Sequence, residues 1–76
     1  MRGFINITLD RTSNILPTTI ISRIQDVKHV KLVHLVTGSV DAIAFVDAPD
    51  LNAFRDAIVA ISRIKGVLST VTNVAL

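Results

Sequence analysis

The chain has 76 residues, of which 50% are hydrophobic and 18% are charged, with a formal net charge of +2. A domain of this size buries only about 60% of the surface that its unfolded chain exposes, and a typical soluble domain has about 25% charged residues. We therefore expect one domain that hides part of its apolar surface against other copies of itself. The absence of cysteine excludes disulfides, thiolate catalysis and cysteine-based zinc sites.

The charged residues are spread over the whole chain. Eight lysines and arginines are interleaved with six aspartates, whereas a nucleic-acid site needs cations clustered on one face. Solvated surface charge is the simpler interpretation, and we expect no direct binding to nucleic acid. No stretch approaches the roughly 18 apolar residues of a membrane span, and no signal-peptide block follows Met1. The sequence therefore predicts a cytoplasmic protein without membrane association.

The first part of the chain predicts a strand followed by a helix. Residues 3 to 9 alternate and are β-branched, which is typical of a strand, and a polar loop follows. Pro17 suits the first turn of a helix because its missing N–H is not needed there, while Ile20 and Ile24 repeat at helical spacing. This pattern predicts a short amphipathic helix from about 16 to 26.

The middle of the chain predicts a hairpin. Residues 30 to 36 are too apolar and too rich in valine for a strand with one solvated face, so we expect both of its faces to be covered. A tight connection over residues 37 to 39 follows, in which Gly38 can take a positive φ. Residues 40 to 46 predict the next strand.

The last part predicts a second helix and a final strand. Pro49 and Asp50 begin the helix, with Asp50 as its N-cap. Lys65 and Gly66 end it, because a cation in the last turn followed by glycine is typical of a helix C-terminus. Residues 67 to 76 are rich in β-branched side chains and predict the closing strand. The apolar stripe of the helix, which we expect in the core, is Leu51, Phe54, Ala57, Ile58, Ile61 and Ile64.

The predicted order of elements is βαββαβ. Two βαβ halves of about equal length indicate an α+β, ferredoxin-like fold, in which a four-stranded antiparallel sheet carries both helices on one face. The other face of the sheet is left uncovered. Because the strands over 30–36 and 67–76 lack a clean polar face, we expect two copies to pack sheet against sheet, or several copies to close into a ring.

Three groups of residues together resemble a known family. Val30 leads into the stretch Val36-Thr37-Gly38-Ser39-Val40-Asp41, then come Gly66-Val67 and Thr70-Val71-Thr72. They are similar to the valine-led strand, Thr-Gly-x-x-Asp hairpin, helix and Gly-Val-x-x-Thr-x-Thr strand of the effector-binding (RAM) domain of Lrp/AsnC transcription regulators. The resemblance extends from about Phe4 to Leu76.

The resemblance implies a stand-alone sensing domain occupying residues 1–76. Full-length members carry a helix-turn-helix DNA-binding domain before this domain, whereas the first strand here begins at Phe4, and stand-alone forms are known in prokaryotes. The resemblance further implies homodimers that assemble into octamers or decamers, with an amino acid or similar small effector bound between dimers. Full-length Lrp/AsnC regulators are candidate partners, and no cofactor is implied.

The resemblance also places the family's ligand contacts on the hairpin and the last strand. Carried over by position, they are Thr37, Gly38, Ser39, Val40, Asp41, Thr70 and Thr72. The family frequently has an aromatic residue where this chain has Val40, which puts the identity of the effector in question.

An α-amino acid presents a carboxylate and an ammonium, and the predicted residues suit both groups. Backbone N–H groups around Gly38 and Ser39 can approach a carboxylate closely. Asp41 offers a counter-charge for the ammonium, and the hydroxyls of Thr70 and Thr72 lie on one strand face because they are two residues apart. The sequence therefore predicts an amino-acid site at this hairpin.

The same residues also have purely structural interpretations. Gly38 is equally explained as a turn glycine, and Asp41 as a residue that caps the hairpin or pairs with a nearby lysine. Thr70 and Thr72 are explained by the preference of β-branched residues for strands.

The remaining polar residues do not form a catalytic or metal-binding pattern. His29 and His34 are five apart in a segment predicted to be extended, which puts them on opposite faces. Asp47 and Asp50 flank Pro49 and are better explained by a loop and a helix cap than by paired carboxylates. We expect no enzymatic activity, because no nucleophile, base and orienting group share a recognised spacing.

Two alternative functions follow from the fold class. A small dimeric enzyme of the monooxygenase type would need a roomy pocket between helices and sheet, and a space filled by Ile20, Ile24, Phe54 and Ile58 would argue against it. An RNA-binding sheet would stack bases on exposed aromatic side chains. The chain has only Phe4, Phe45 and Phe54 for that role.

Overall fold

The computed structural model describes residues 1–75 and confirms the predicted order of elements. Most of the boundaries agree with the sequence pattern to within one or two residues, and Leu76 lies outside the described residues. The elements are β1 (Arg2–Leu9), α1 (Pro17–Gln25), β2 (Val30–Leu35), β3 (Ala42–Asp47), α2 (Leu51–Ser62) and β4 (Val67–Ala75).

The four strands form one antiparallel sheet in the order β2-β3-β1-β4. The central strand β1 pairs with both β3 and β4, and Ile5 lies between Ala44 and Thr72 on one face of the sheet. The adjacent residues of the three strands point to the other face. Side chains alternate between the two faces along each strand. Both helices cover the same face, and the arrangement is the predicted ferredoxin-like fold.

The core lies between the helices and the covered face of the sheet. Bulky residues of the two helices fill this space, including Ile20, Ile24 and Phe54, which are at most 2% exposed. Ile58 is half-buried and packs against them. Side chains therefore fill the space between the helices and the sheet, which is the packing that argues against a monooxygenase-type pocket there. The core residues of the sheet are Ile5, Ile7, Leu9, Val33, Ala42, Ala44 and Val46.

Each helix packs at a glycine. An added Cβ on Gly3 would lie 2.6 Å from Cζ of Phe54, so the phenyl ring rests directly against the backbone of β1. An added Cβ on Gly66 would collide with the side chain of Ile20, and the φ of +103° at this residue is a conformation that favours glycine. The two close approaches fix the positions of α2 and α1 against the sheet.

The second helix begins as predicted and ends earlier than predicted. The carboxylate of Asp50 accepts a hydrogen bond of 2.8 Å from the backbone N–H of Ala53, which confirms its N-cap role. The helix ends at Ser62, so Lys65 lies beyond its last turn. The backbone N–H of Ile64 donates to the carbonyl of Ile61 at 3.1 Å, which shows a tighter turn that leads the chain to Gly66.

The strand β2 does not have two covered faces in the single chain. It forms one edge of the sheet, and Val33 is its only buried residue. Leu32 and Leu35 are 52% and 53% exposed on opposite faces. Within the single chain this prediction is wrong, because apolar composition does not specify whether a strand lies at the centre or at the edge of a sheet.

The face of the sheet opposite the helices, which we name the open face, carries apolar side chains interspersed with polar ones. Phe4 and Phe45 face each other across β1 and β3, with ring centroids 5.1 Å apart. Phe4 is 46% exposed and Val71 is 61% exposed. Polar residues such as Asn6 accompany them. The apolar side chains of the open face are Phe4, Leu32, Ile43, Phe45 and Val71.

Within residues 1–75, no helix has the length and apolar content needed to cross a membrane.

Candidate ligand-binding site

The connection between β2 and β3 presents the hairpin residues at one end of the sheet. The backbone N–H of Val36 donates to the carbonyl of Asp41 at 3.0 Å, which closes the loop. Thr37, Gly38 and Ser39 are exposed at its tip, whereas Val40 is half-buried. The tip is therefore accessible in the single chain.

Gly38 has the positive φ that the sequence predicts. Its φ is +129°, and an added Cβ would meet no atom within 4 Å. The glycine is therefore required by the backbone conformation and not by close packing. Open space around it leaves room for another group to approach the backbone.

Asp41 ties the hairpin to β1 through both its backbone and its side chain. Its N–H donates to the carbonyl of Ile7 at 2.9 Å. One carboxylate oxygen accepts a 2.8 Å hydrogen bond from the backbone N–H of Leu9, and the other pairs with the guanidinium of Arg11. The charged partner is thus an arginine from the β1–α1 loop, not the nearby lysine considered as a structural alternative.

These contacts hold the Asp41 carboxylate in its charged form. The hydrogen bond from the Leu9 N–H is the main cause of a pKa below the ordinary value of 3.8; partial burial opposes it, and Arg11 lowers the pKa further. Asp41 is consequently an anion at neutral pH. Its side chain is only 16% exposed, and the Leu9 N–H and the Arg11 guanidinium hold the carboxylate in one orientation.

The loop between β1 and α1 is ordered by its own short polar side chains. The Asp10 carboxylate accepts hydrogen bonds from the Thr12 hydroxyl at 2.6 Å and from the Thr12 N–H at 2.9 Å, and both lower the pKa of Asp10. The Ser13 hydroxyl accepts a 3.1 Å hydrogen bond from the N–H of Ile15. Such local bonds are typical of Asx and Ser/Thr turns, and they fix the backbone that carries Arg11.

A cleft of about 470 Å³ lies between this loop, the start of α1 and the end of β2. Arg11 and Asp41 belong to its polar side, together with Asp10. Apolar side chains form the remainder, and they include those of Ile15 and Leu35. The cleft therefore combines an ion pair with an apolar wall.

The predicted threonines lie elsewhere in the chain. Thr70 pairs with Ile7 and Thr72 with Ile5, so both face the helix-covered side and are half-buried. The strand β1 lies between β4 and β3, and two strand spacings amount to about 10 Å. Within one chain, the structure does not bring the threonines together with the hairpin tip.

Of the predicted ligand-binding residues, Asp41 alone lines the cleft. The cleft is also lined by Arg11, Ile15 and Leu35, which were not among the residues predicted from the sequence. The spacing of Asp10 and Thr12 could have indicated an ordered turn. The pairing of Arg11 with Asp41 spans 30 residues and leaves no local signal in the sequence.

The two histidines lie in different surroundings. His29 precedes β2 with a positive φ of 74°, so it is not in the extended segment that the sequence predicted. Its carbonyl accepts a 3.1 Å hydrogen bond from the N–H of Asp47. His34 pairs with Ile43 on the open face. In the described part of the chain, no three potential ligands are grouped as a metal site would require.

A sequence model of the Lrp/AsnC ligand binding domain matches residues 2–76. The chain belongs to this family. The Lrp/AsnC ligand-binding domain is a regulatory module and not an enzyme. The chain is therefore a regulatory, effector-binding domain. No curated protein sequence matches significantly.

Solved structures of Lrp/AsnC proteins have the same fold. TTHA0845 from Thermus thermophilus is 25% identical with a TM-score of 0.86, and the match covers 99% of this chain and 91% of that one. AsnC of E. coli is 20% identical with a TM-score of 0.85, covering 99% of this chain and 50% of AsnC.

A third Lrp/AsnC neighbour was solved with an amino acid bound. It is the feast or famine regulatory protein Rv3291c of M. tuberculosis, complexed with L-methionine, at 22% identity and a TM-score of 0.80. The match covers 99% of this chain and 49% of that protein. At this level of identity the likeness establishes the shared fold.

Proposed function

We propose that this Lrp/AsnC domain senses a small amino-acid effector and assembles through the open face of its sheet to modulate transcription regulators. The observation that supports sensing most directly is the fixed carboxylate of Asp41, held by the Leu9 N–H at 2.8 Å beside a cleft of about 470 Å³. A half-buried anion that is already oriented suits an ammonium group. The M. tuberculosis neighbour with L-methionine is consistent with an amino acid.

The effector site of this proposal uses the hairpin and the last strand. The exposed backbone of Gly38 and Ser39, together with Thr37 and Val40, would contact the ligand next to Asp41. Thr70 and Thr72 would contribute from a neighbouring copy, because β1 separates them from the hairpin of their own chain. A site between copies would link effector binding to assembly.

Assembly is supported by the composition of the open face. Phe4, Leu32 and Val71 are 46 to 61% exposed there, and grouped exposed apolar side chains are typical of protein interfaces. Pairing with a second copy is the simplest cover, since a face that contacts itself across a two-fold axis needs no other protein. Dimers, and octamers or decamers built from them, are the proposed states, with full-length Lrp/AsnC regulators as further partners.

A thermal-shift panel of the twenty amino acids tests sensing. At least one amino acid should raise the melting temperature, because a ligand present at 100 times its Kd stabilises the folded state by about 2.7 kcal/mol. Asp41→Asn should abolish that shift, while Asp56→Asn on the exposed side of α2 should keep it. A flat panel for the unsubstituted protein would count against an amino-acid effector.

Light scattering tests assembly independently. The protein should form dimers or larger closed assemblies at micromolar concentration, and the bound amino acid should change the distribution if the site lies between copies. A particle that stays a single chain at high concentration would refute assembly and leave the thermal-shift result unaffected.

A further inference from the structure

The two helices are followed by turns of the same form. In each turn, the backbone N–H of the first strand residue donates to the carbonyl three residues earlier, at 3.1 Å before β2 and 3.0 Å before β4. The residue just before the strand has a positive φ, +74° at His29 and +103° at Gly66. Glycine suits this backbone, whereas histidine is strained in it. Strain of this kind concentrates at functional sites.

The space next to the two turns is filled differently. An added Cβ on Gly66 would collide with Ile20, so a side chain of α1 closes the second turn. Next to His29 a cleft of about 330 Å³ remains, because the wall contributed by α2 consists largely of alanines such as Ala57. We name it the second cleft. His29 precedes β2 and Asp41 follows it, so the second cleft lies at the opposite end of the sheet from the first.

Three polar side chains line the second cleft on two walls. Lys28 and His29 belong to the turn before β2, and Asp56 belongs to α2. Within residues 1–75 the Asp56 carboxylate accepts no hydrogen bond from the protein, whereas both oxygens of Asp41 are already bonded. Asp56 can therefore accept two hydrogen bonds from a ligand, and Lys28 can bind an anionic group of the same ligand.

The remaining surface of the second cleft suits a flat ring. Ala53, Ala57 and Ala60 follow one face of α2, and each extends only a methyl group from the helix. The other wall carries the imidazole of His29, and histidine is among the side chains on which nucleobases stack. The volume of about 330 Å³ is at the lower end of the range for small-molecule sites, about 300 to 1,000 Å³. The second cleft therefore has room for one planar heterocycle.

The carboxylate of Asp56 selects among heterocycles. An ionised carboxylate only accepts hydrogen bonds, and its two oxygens suit two parallel N–H donors. Guanine presents such a pair, N1–H and the N2 amino group, on one edge. Adenine and cytosine place an acceptor nitrogen beside the amino group, and uracil flanks its N–H with two carbonyls. Guanine is thus the nucleobase whose edge matches Asp56.

We propose that the second cleft binds a guanine nucleotide. The N1–H and N2–H groups of the base donate to Asp56, the ring lies between His29 and the alanines of α2, and the phosphate binds Lys28. This site goes beyond the proposed amino-acid sensing and does not depend on it, because the two clefts share no lining residue.

Calorimetric titration with three nucleotide probes and one amino acid tests the ligand class. GMP should bind with a Kd below about 1 mM. AMP should bind about 10- to 100-fold more weakly, because its edge places an acceptor against the carboxylate. Guanosine, which lacks the phosphate, should lose about two- to fivefold, as expected for an exposed ion pair. L-Leucine should not displace GMP.

Substitution of Asp56 provides a readout that general damage to the fold cannot imitate. Asp56→Asn should weaken GMP binding about 10- to 100-fold. It should also strengthen AMP binding, because an amide offers one acceptor and one donor, which match the amino group and ring nitrogen of adenine. Asp41→Asn in the first cleft is the control and should bind GMP like the unsubstituted protein.

Lys28 has a matched control in the second half of the chain. Lys65 occupies the same position in the turn before β4 and does not line the second cleft. Lys28→Gln should reduce the affinity for GMP to that for guanosine and leave guanosine binding unchanged. Lys65→Gln should change neither.

His29 should show opposite effects on binding and on stability. His29→Gly should weaken GMP binding about 5- to 150-fold, the usual range for loss of a stacked aromatic ring. It should not lower the melting temperature, because glycine suits the positive φ. His29→Phe keeps a flat ring and should restore part of the affinity.

Several outcomes would overturn the nucleotide site and leave amino-acid sensing intact. They are absence of GMP binding at millimolar concentration, AMP binding as tight as that of GMP, and GMP binding that is unchanged in Asp56→Asn. An amino acid that binds only when Asp56 is present would instead assign the second cleft to zwitterions. Circular dichroism of each variant confirms that it remains folded.

Discussion

The two faces of the sheet differ both in cover and in composition. On β1, Ile5 is completely buried under the helices, whereas its neighbour Phe4 on the open face is 46% exposed. The same contrast holds on β3, where Ala44 is buried and Phe45 is half-buried. The open face therefore keeps several apolar side chains that the chain's own helices do not cover. A hydrophobic surface stabilises the fold only where something packs against it.

This difference suggests a division of energetic roles. The covered face, with Phe54, Ile24 and Ile61 packed against it, makes the single chain fold. The open face is available for contact with another copy. Substitutions on the covered face should thus change stability at every protein concentration, while substitutions on the open face should change association.

The largest expected effect is the loss of Phe54 from the covered face. Phe54→Ala should reduce the free energy of unfolding by about 3 to 5 kcal/mol, because it removes a buried ring and leaves a cavity above Gly3. Urea denaturation followed by circular dichroism at several protein concentrations measures this loss. Phe4→Ala on the open face is the matched control, and its effect should depend on concentration. Equal, concentration-independent losses in the two variants would contradict the division of roles.

A charge on the open face should prevent association. Val71→Asp replaces an exposed apolar side chain of the open face with a carboxylate, and burial of an unpaired charge against a second copy would be costly. Size-exclusion chromatography with light scattering should show smaller particles that remain folded. Leu51, which the sequence pattern placed in the core, is in fact 53% exposed at the start of α2. Leu51→Asp adds the same charge there and should leave the assembly intact. Val71→Asp particles of the original size would show that the open face is not the interface.

A smaller effect is expected from the cap of α2. Asp50→Ala removes the hydrogen bond to the Ala53 N–H and should cost about 1 kcal/mol, within the usual 0.5 to 2 kcal/mol of an N-cap. The exposed Asp56→Ala should change stability by less than about 0.5 kcal/mol. Because the cap supports only the covering layer, the loss should appear in urea denaturation and not in particle size. A neutral Asp50→Ala would show that the cap bond does not stabilise the helix in solution.

The smallest effect concerns pH. The pKa of Asp41 is lower in the folded chain than its ordinary value of 3.8, so its carboxylate contributes stability that is present above that value. This contribution is lost as pH falls through the lower, folded pKa. Asp41→Asn should therefore flatten the dependence of stability on pH below about 4, measured by thermal unfolding between neutral and acidic pH. An unchanged slope would mean that the Leu9 and Arg11 contacts do not hold the charged form.

The fold was predictable because its signals are local. Alternation along β1, helical spacing of Ile20 and Ile24, and the cap at Asp50 each depend on a few neighbouring residues. The end of α2 was predicted too far along the chain, because a turn separates the last helical residue, Ser62, from Gly66. The burial of β2 was overestimated because its place at the edge depends on pairing between distant strands.

The candidate site was less predictable for a related reason. The resemblance to the family identified Asp41, and the positive φ of Gly38 followed from glycine chemistry. The contact of Arg11 with Asp41 brings together residues that are 30 positions apart, and only the folded chain shows it. The same applies to the separation of Thr70 from the hairpin by β1.

The glycines beneath the helices have a consequence for signalling. Phe54 fits against Gly3 in β1, and Ile20 fits against Gly66 in the turn before β4, so each helix has a contact position that only a glycine allows. A shift of either helix would bring Phe54 or Ile20 against residues that carry a Cβ. We therefore expect the helices and sheet to move as one rigid body when an effector binds, with the adjustment confined to the loops that carry Arg11 and Gly38.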